Sequence, residues 1–131
     1  SKTLHRLGEV AFTGTEAAHP WACYLLDVYH IYKGGSSFEG LAMFRGARMF
    51  NFHINDYPAN PPWETIADKD RVYPGDGVAP LDQILRTLRD VGYRGALSLE
   101  LFNPTYWAQD AELVLRTGLE KTRAAVAKAL G

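Results

Sequence analysis

Side chains able to hold a cation on oxygen and nitrogen recur at the ends of three apolar runs. Asp27 closes the run Trp21-Ala22-Cys23-Tyr24-Leu25-Leu26, with His30 just beyond it; His53 lies in Met49–Ile54; Glu100 lies in residues 96–102. A short, nearly continuous apolar run is the pattern of a strand buried on both faces of a parallel sheet. In such a fold every strand opens its carboxyl end onto the same face, so residues far apart in the chain can converge there. Two carboxylates and an imidazole suit Mn²⁺, Co²⁺, Mg²⁺ or Zn²⁺, and the imidazole moves the choice away from Ca²⁺. Taken singly, each of these residues has an ordinary reading as a helix cap, an ion-pair partner or a core histidine. Their recurrence at the ends of successive runs points instead to one shared divalent ion.

The elements that must position these residues follow from the spacing of apolar side chains. Leu4, Leu7, Val10 and Ala11 predict a helix over residues 1–18, ended by His19-Pro20. Residues 21–27 read as the first strand. Lys33-Gly34-Gly35-Ser36 is turn chemistry, with Ser36 or Ser37 as N-cap of a short helical face made by Phe38, Leu41, Ala42 and Phe44. Met49–Ile54 reads as the second strand. Residues 55–77, rich in Pro and Gly, are longer than an ordinary connection, and a segment of that kind is a natural functional loop or lid. Leu81, Ile84, Leu85 and Leu88 form a helical stripe up to Gly92, residues 96–102 read as the third strand, and residues 109–130 as a long final helix interrupted only by Gly118. One helix followed by three strand–helix units is an α/β pattern with parallel strands and right-handed crossovers. The pattern fits an open doubly wound sheet and part of a closed barrel equally.

Bulk properties narrow the function. A chain of 131 residues, 47% of them hydrophobic, has enough for one modest core and is treated as one unit. Its formal charge of -1 provides no attraction toward a phosphate backbone or an anionic membrane. Cys23 has no partner for an internal disulfide and is expected as a buried, inert thiol, which fits a reducing cytoplasm. No stretch approaches the roughly 20 apolar residues of a membrane span, and the opening residues lack the apolar centre of a signal peptide. His5 and His19 stand away from any strand end and are expected as surface or capping residues. Lys33 beside Gly34-Gly35 lacks a phosphate-loop pattern and reads as a turn lysine.

Four stretches together, Asp27-Val28-Tyr29-His30, Asn51-Phe52-His53-Ile54-Asn55-Asp56, Arg71-Val72-Tyr73-Pro74-Gly75-Asp76-Gly77 and Ser98-Leu99-Glu100-Leu101-Phe102, resemble the last strands and loops of xylose isomerase-like TIM barrels. This family of sugar phosphate isomerases and epimerases includes sugar 3-epimerases, hydroxypyruvate isomerase and inosose dehydratase. The resemblance runs nearly end to end and keeps the motif order. It implies a partial (β/α)8 barrel of about the last three strand–helix units. It also implies that Asp27, His53 and Glu100 are metal ligands, that Glu100 moves a proton, and that His30 and Arg71 contact substrate oxygens. The Pro-Gly-Asp-Gly turn would shape the loop presenting Arg71. The implied activity is isomerisation or epimerisation of a sugar, sugar phosphate or hydroxy-keto compound through an enediolate.

The family's fourth ligand, a Glu at the end of the fifth strand, has no counterpart here, so the site is expected to be incomplete in this chain and the chain by itself inactive as an isomerase. A closed barrel takes roughly 250 residues, and three strands leave two edges open, so the chain is expected to associate or to be part of a longer one. A dehydratase-type lyase and a non-catalytic assembly domain are the alternative readings. The apurinic-site endonucleases of the same group carry an Asp-x-His pair where this chain has Asp70-Arg71-Val72. An apolar side chain cannot bind zinc, which argues against that nuclease.

Overall fold

The structure, a computed structural model, describes residues 3–131; Ser1 and Lys2, where the first predicted helix was placed to begin, lie outside the described residues. Helix α1 (Leu7–Glu16) is followed by strand β1 (Tyr24–Asp27), helix α2 (Val28–Lys33), two 3-10 turns (Phe38–Met43 and Gly46–Arg48) and strand β2 (Met49–Ile54). A third 3-10 turn (Asp68–Asp70) interrupts the long loop before helix α3 (Leu81–Asp90), strand β3 (Ala96–Leu99), helix α4 (Pro104–Trp107) and helix α5 (Ala111–Leu130). The three strands form one parallel sheet in the order β1-β2-β3.

Strand register sorts the side chains between two faces. Leu26 pairs with Phe52, and Ile54 with Leu99, on the face covered by helices, where Leu26, Phe52 and Ile54 are buried in the core. The α3 stripe of Leu81, Ile84, Leu85 and Leu88 packs into the same core, as its spacing predicts. The other face carries Leu25, Asn51 and Ala96 in one row and Asp27, His53 and Ser98 in the next. That face has no covering layer among the described residues, and Leu25 remains 58% exposed. The strands are therefore buried on one face, where their composition predicts two.

Two local expectations change for related reasons. β1 starts only at Tyr24, because its partner strand starts at Met49 and residues upstream of Tyr24 have no neighbour to pair with. Cys23 consequently lies before the sheet and is exposed, where the sequence predicts a buried thiol. The helical face around Leu41 is present, with Ser37 as its N-cap, but wound as a 3-10 segment and not as an α-helix. The chain enters a helix immediately after Asp27, and this α2 is not visible in the apolar spacing. Its signal is the carboxylate itself, since Asp27 Oδ1 caps the helix by accepting from His30 N at 2.9 Å.

Candidate metal centre

The cap leaves Asp27 with one oxygen to spare. Oδ2 points into the uncovered face, where it accepts from Asn55 Nδ2 at 3.0 Å and lies 3.6 Å from His53 Nδ1. Asn55 is wholly buried and also accepts from Tyr29 N at 3.0 Å, so one side chain sets both the carboxylate and the first turn of α2. His53 sits in the same row as Asp27 and Ser98. The third strand contributes a neutral Ser98 to that row, and Glu100, two residues on, supplies the acid. Its backbone N–H extends the ladder to Ile54 O at 3.3 Å, and its Oε2 comes within 3.3 Å of His53 Nδ1. One donor atom from each of Asp27, His53 and Glu100 lies within 4.8 Å of the other two. Two acid oxygens and an imidazole nitrogen at that spacing are a donor set of the right size and chemistry for a divalent transition ion or Mg²⁺.

Arg71 is the fourth member of the cluster. It is 0% exposed, and its guanidinium lies 4.7 Å from the ring centre of Tyr29 and 5.0 Å from that of Phe102. Nη1 donates to Glu100 Oε2 at 2.8 Å and to Asp27 Oδ2 at 3.3 Å, while Nη2 donates to Asp68 Oδ1 and lies 2.9 Å from His30 Nε2. A guanidinium has no acceptor, so His30 Nε2 accepts, which places that ring's proton on Nδ1. His30 and Asp68 are half-exposed and form the rim of the site.

The backbone that delivers Arg71 is fixed by Asp56, a buried carboxylate with four backbone donors. Oδ1 accepts from Tyr57 N and Ala79 N at 2.8 and 2.9 Å, and Oδ2 from Gly75 N and Gly77 N at 3.0 and 3.1 Å. Gly77 is required at this contact, because a Cβ there would collide with the Asp56 carboxylate. Asp56 and Val72 also exchange backbone hydrogen bonds at 3.0 and 2.9 Å, next to Arg71. Further along, the loop is tied to α2: Tyr29 donates its hydroxyl to Ile66 O, and Lys33 Nζ donates to Trp63 O. The segment expected as a lid is thus laced to the sheet and to α2, and Lys33 is a loop anchor.

Every residue singled out from the sequence, Asp27, His30, His53, Arg71 and Glu100, meets in this cluster. His19, expected away from it, accepts from Trp21 N at its own turn. Asp68 was not foreseen. Its signal is its place three residues before Arg71 in a 3-10 turn, where side chains at that spacing lie on one side.

Three adjacent parallel strands, with crossover helices on one face and an acid–imidazole cluster at their carboxyl ends, are a sector of a (β/α)8 barrel. The chain belongs to the xylose isomerase-like TIM barrel family, whose model matches residues 3–125. It is similar to the inosose isomerases of Bacillus licheniformis and Bacillus subtilis, 39% and 36% identical over 104 residues; each match covers 79% of this chain and 37% of the relative. Among solved structures it superimposes on the IolI protein with a binding zinc atom at a TM-score of 0.90 and 29% identity, covering 98% of this chain and 46% of that one. A xylose isomerase domain protein from Alicyclobacillus acidocaldarius gives a TM-score of 0.82 at 30% identity, covering 95% and 44%. The chain therefore spans less than half the length of each of these relatives. No helix among the described residues is long and apolar enough to cross a membrane.

Proposed function

We propose that Asp27, His53 and Glu100 hold one divalent metal ion and that the chain is the carboxyl-terminal sector of a metal-dependent isomerase or epimerase. The observation that carries this reading is the convergence of the three donor atoms within 4.8 Å at the carboxyl ends of adjacent strands. The zinc atom of the similar IolI structure supports it, and the inosose isomerase relatives favour a polyhydroxylated ketone as substrate. The rest of the site, including the second acid/base of an epimerase, would come from the part of the barrel absent from this chain.

When bound, a divalent ion supplies Lewis-acid stabilisation of the negative charge that develops as the C–H beside a carbonyl loses its proton. Glu100 is the most open of the three donors, 34% exposed, so its carboxylate would take and return that proton at the open side. His30 at the rim and the buried Arg71 behind it would hold substrate oxygens against rotation. Proton transfer through an enediolate follows from those three roles.

The test is solvent exchange. The chain is incubated in D₂O with Mn²⁺ and an inosose, and deuterium at the carbons flanking the carbonyl is followed by NMR against a Mn²⁺-only blank. Incorporation above the blank that disappears in Glu100→Gln is the expected result. Exchange equal to the blank, in a chain that binds the metal, would show that this sector has no proton-transfer chemistry of its own.

A further inference from the structure

The guanidinium of Arg71 occupies oxygens that a metal ion would also need. Asp27 Oδ2 and Glu100 Oε2, which lie 3.6 and 3.3 Å from His53 Nδ1, are the two oxygens that accept from Arg71 Nη1 at 3.3 and 2.8 Å. Through Nη2 the same group reaches the rim, to Asp68 Oδ1 and His30 Nε2. Arginine stays charged at any ordinary pH. One permanent positive charge is therefore shared by three carboxylates, two deep in the site and one, Asp68, 55% exposed at its edge.

The two ends of the guanidinium differ in what metal loading does to them. With a divalent ion between Asp27, His53 and Glu100, the deep carboxylates are already neutralised, and a cation donating to the same oxygens is repelled. The attraction of Asp68 at the rim remains. Tyr29 and Phe102 each hold a ring within 5.0 Å of the guanidinium carbon, contacts that a planar group can keep through a small shift. Arg71 Nε, buried without an acceptor among the described residues, gives up no hydrogen bond in such a shift.

Resting on the metal reading above, we propose that Arg71 is the resident counter-cation of the metal-free cluster. On loading, Nη1 releases Asp27 and Glu100 while Nη2 stays on Asp68, and the freed N–H groups turn toward the substrate. Arg71 is then a positioning residue whose place is set by metal occupancy, and Asp68 is its anchor. The opposing arrangement is an Arg71 that keeps both deep bonds and steadies the ligand oxygens from behind.

Calorimetric titration with Mn²⁺ alone, on wild type and on Arg71→Met, separates the two; circular dichroism checks that both are folded. Wild type is expected to bind Mn²⁺, and removal of the competing charge to tighten that binding by about tenfold or more. A folded Arg71→Met that binds no tighter than wild type overturns it and leaves the metal site standing. Binding in neither protein overturns the metal reading and this proposal together. Should the variant not fold, a crystal structure of wild type with Mn²⁺ decides. Nη1 is expected beyond hydrogen-bond reach of Asp27 and Glu100 with Nη2 still on Asp68, and retention of both deep bonds overturns the proposal.

Discussion

Asp27 shows how much a single side chain does in this site. One oxygen caps α2 and the other faces His53, Asn55 and Arg71, so the residue links the end of a strand to the start of a helix and to the cluster at once. Asp56, one residue beyond Asn55, does the corresponding work for the loop. Its two oxygens each take two backbone N–H groups, and an amide in its place would turn an NH₂ toward one pair of donors. Asp56→Asn should cost about 2–4 kcal/mol of stability, read from urea denaturation midpoints; a loss below about 1 kcal/mol would show that the loop holds without this carboxylate. The acids and imidazoles that meet in the cluster were legible in the sequence because such residues stand out at the ends of apolar runs. The supporting groups were less so. Asn55 and Asp56 were equally compatible with an ordinary turn, and Asp68 was hidden because its partner, Arg71, was itself assigned only through a resemblance.

Elements differ in legibility according to what fixes their ends. β2 matches its predicted bounds, Met49–Ile54, because it is paired on both sides. β1 and β3 are shorter than their apolar runs, since pairing stops where the neighbour stops. α5 carries Gly118 at mid-length, which reads in sequence as a mild interruption. In the structure Gly118 is one of two buried residues of α5, and a Cβ there would overlap Leu99 Cδ2 while meeting Tyr73 at ordinary contact distance. There α5 meets Leu99, the residue preceding Glu100. Gly118→Ala gains roughly 1 kcal/mol of helix propensity, yet overpacking should outweigh it and leave the protein about 1–2 kcal/mol less stable. Thermal or urea unfolding checks the sign, and a more stable variant would contradict the close packing.

At the scale of the whole molecule the fold is a sector with one finished face and one open face. Helices seal one side of the sheet, while Leu25, Asn51 and Ala96 on the other form a row that nothing in the described chain covers, and β1 and β3 each have one unpaired edge. Apolar patterning could not distinguish the two faces, because a barrel strand is composed for burial on both. The core is nevertheless real, and tyrosines report it. Burial is the first cause that raises the hydroxyls of Tyr29, Tyr57, Tyr73, Tyr93 and Tyr106 above their ordinary value of 10.0, with Tyr29 pushed up to about 12. A raised folded-state value means that the stability is fully present below pH 10 and is lost as pH climbs toward 12. Urea midpoints should therefore fall steadily above pH 10, and a flat profile to pH 11.5 would contradict the burial of these rings. Whether three adjacent strands of this sector deliver one metal site is decided by calorimetric titration of wild type and His53→Ala with Mn²⁺. A single saturable site is expected in wild type, weakened by about a hundredfold or more in the variant. Equal binding by the two proteins would contradict that expectation, because the imidazole would then have no part in holding the ion.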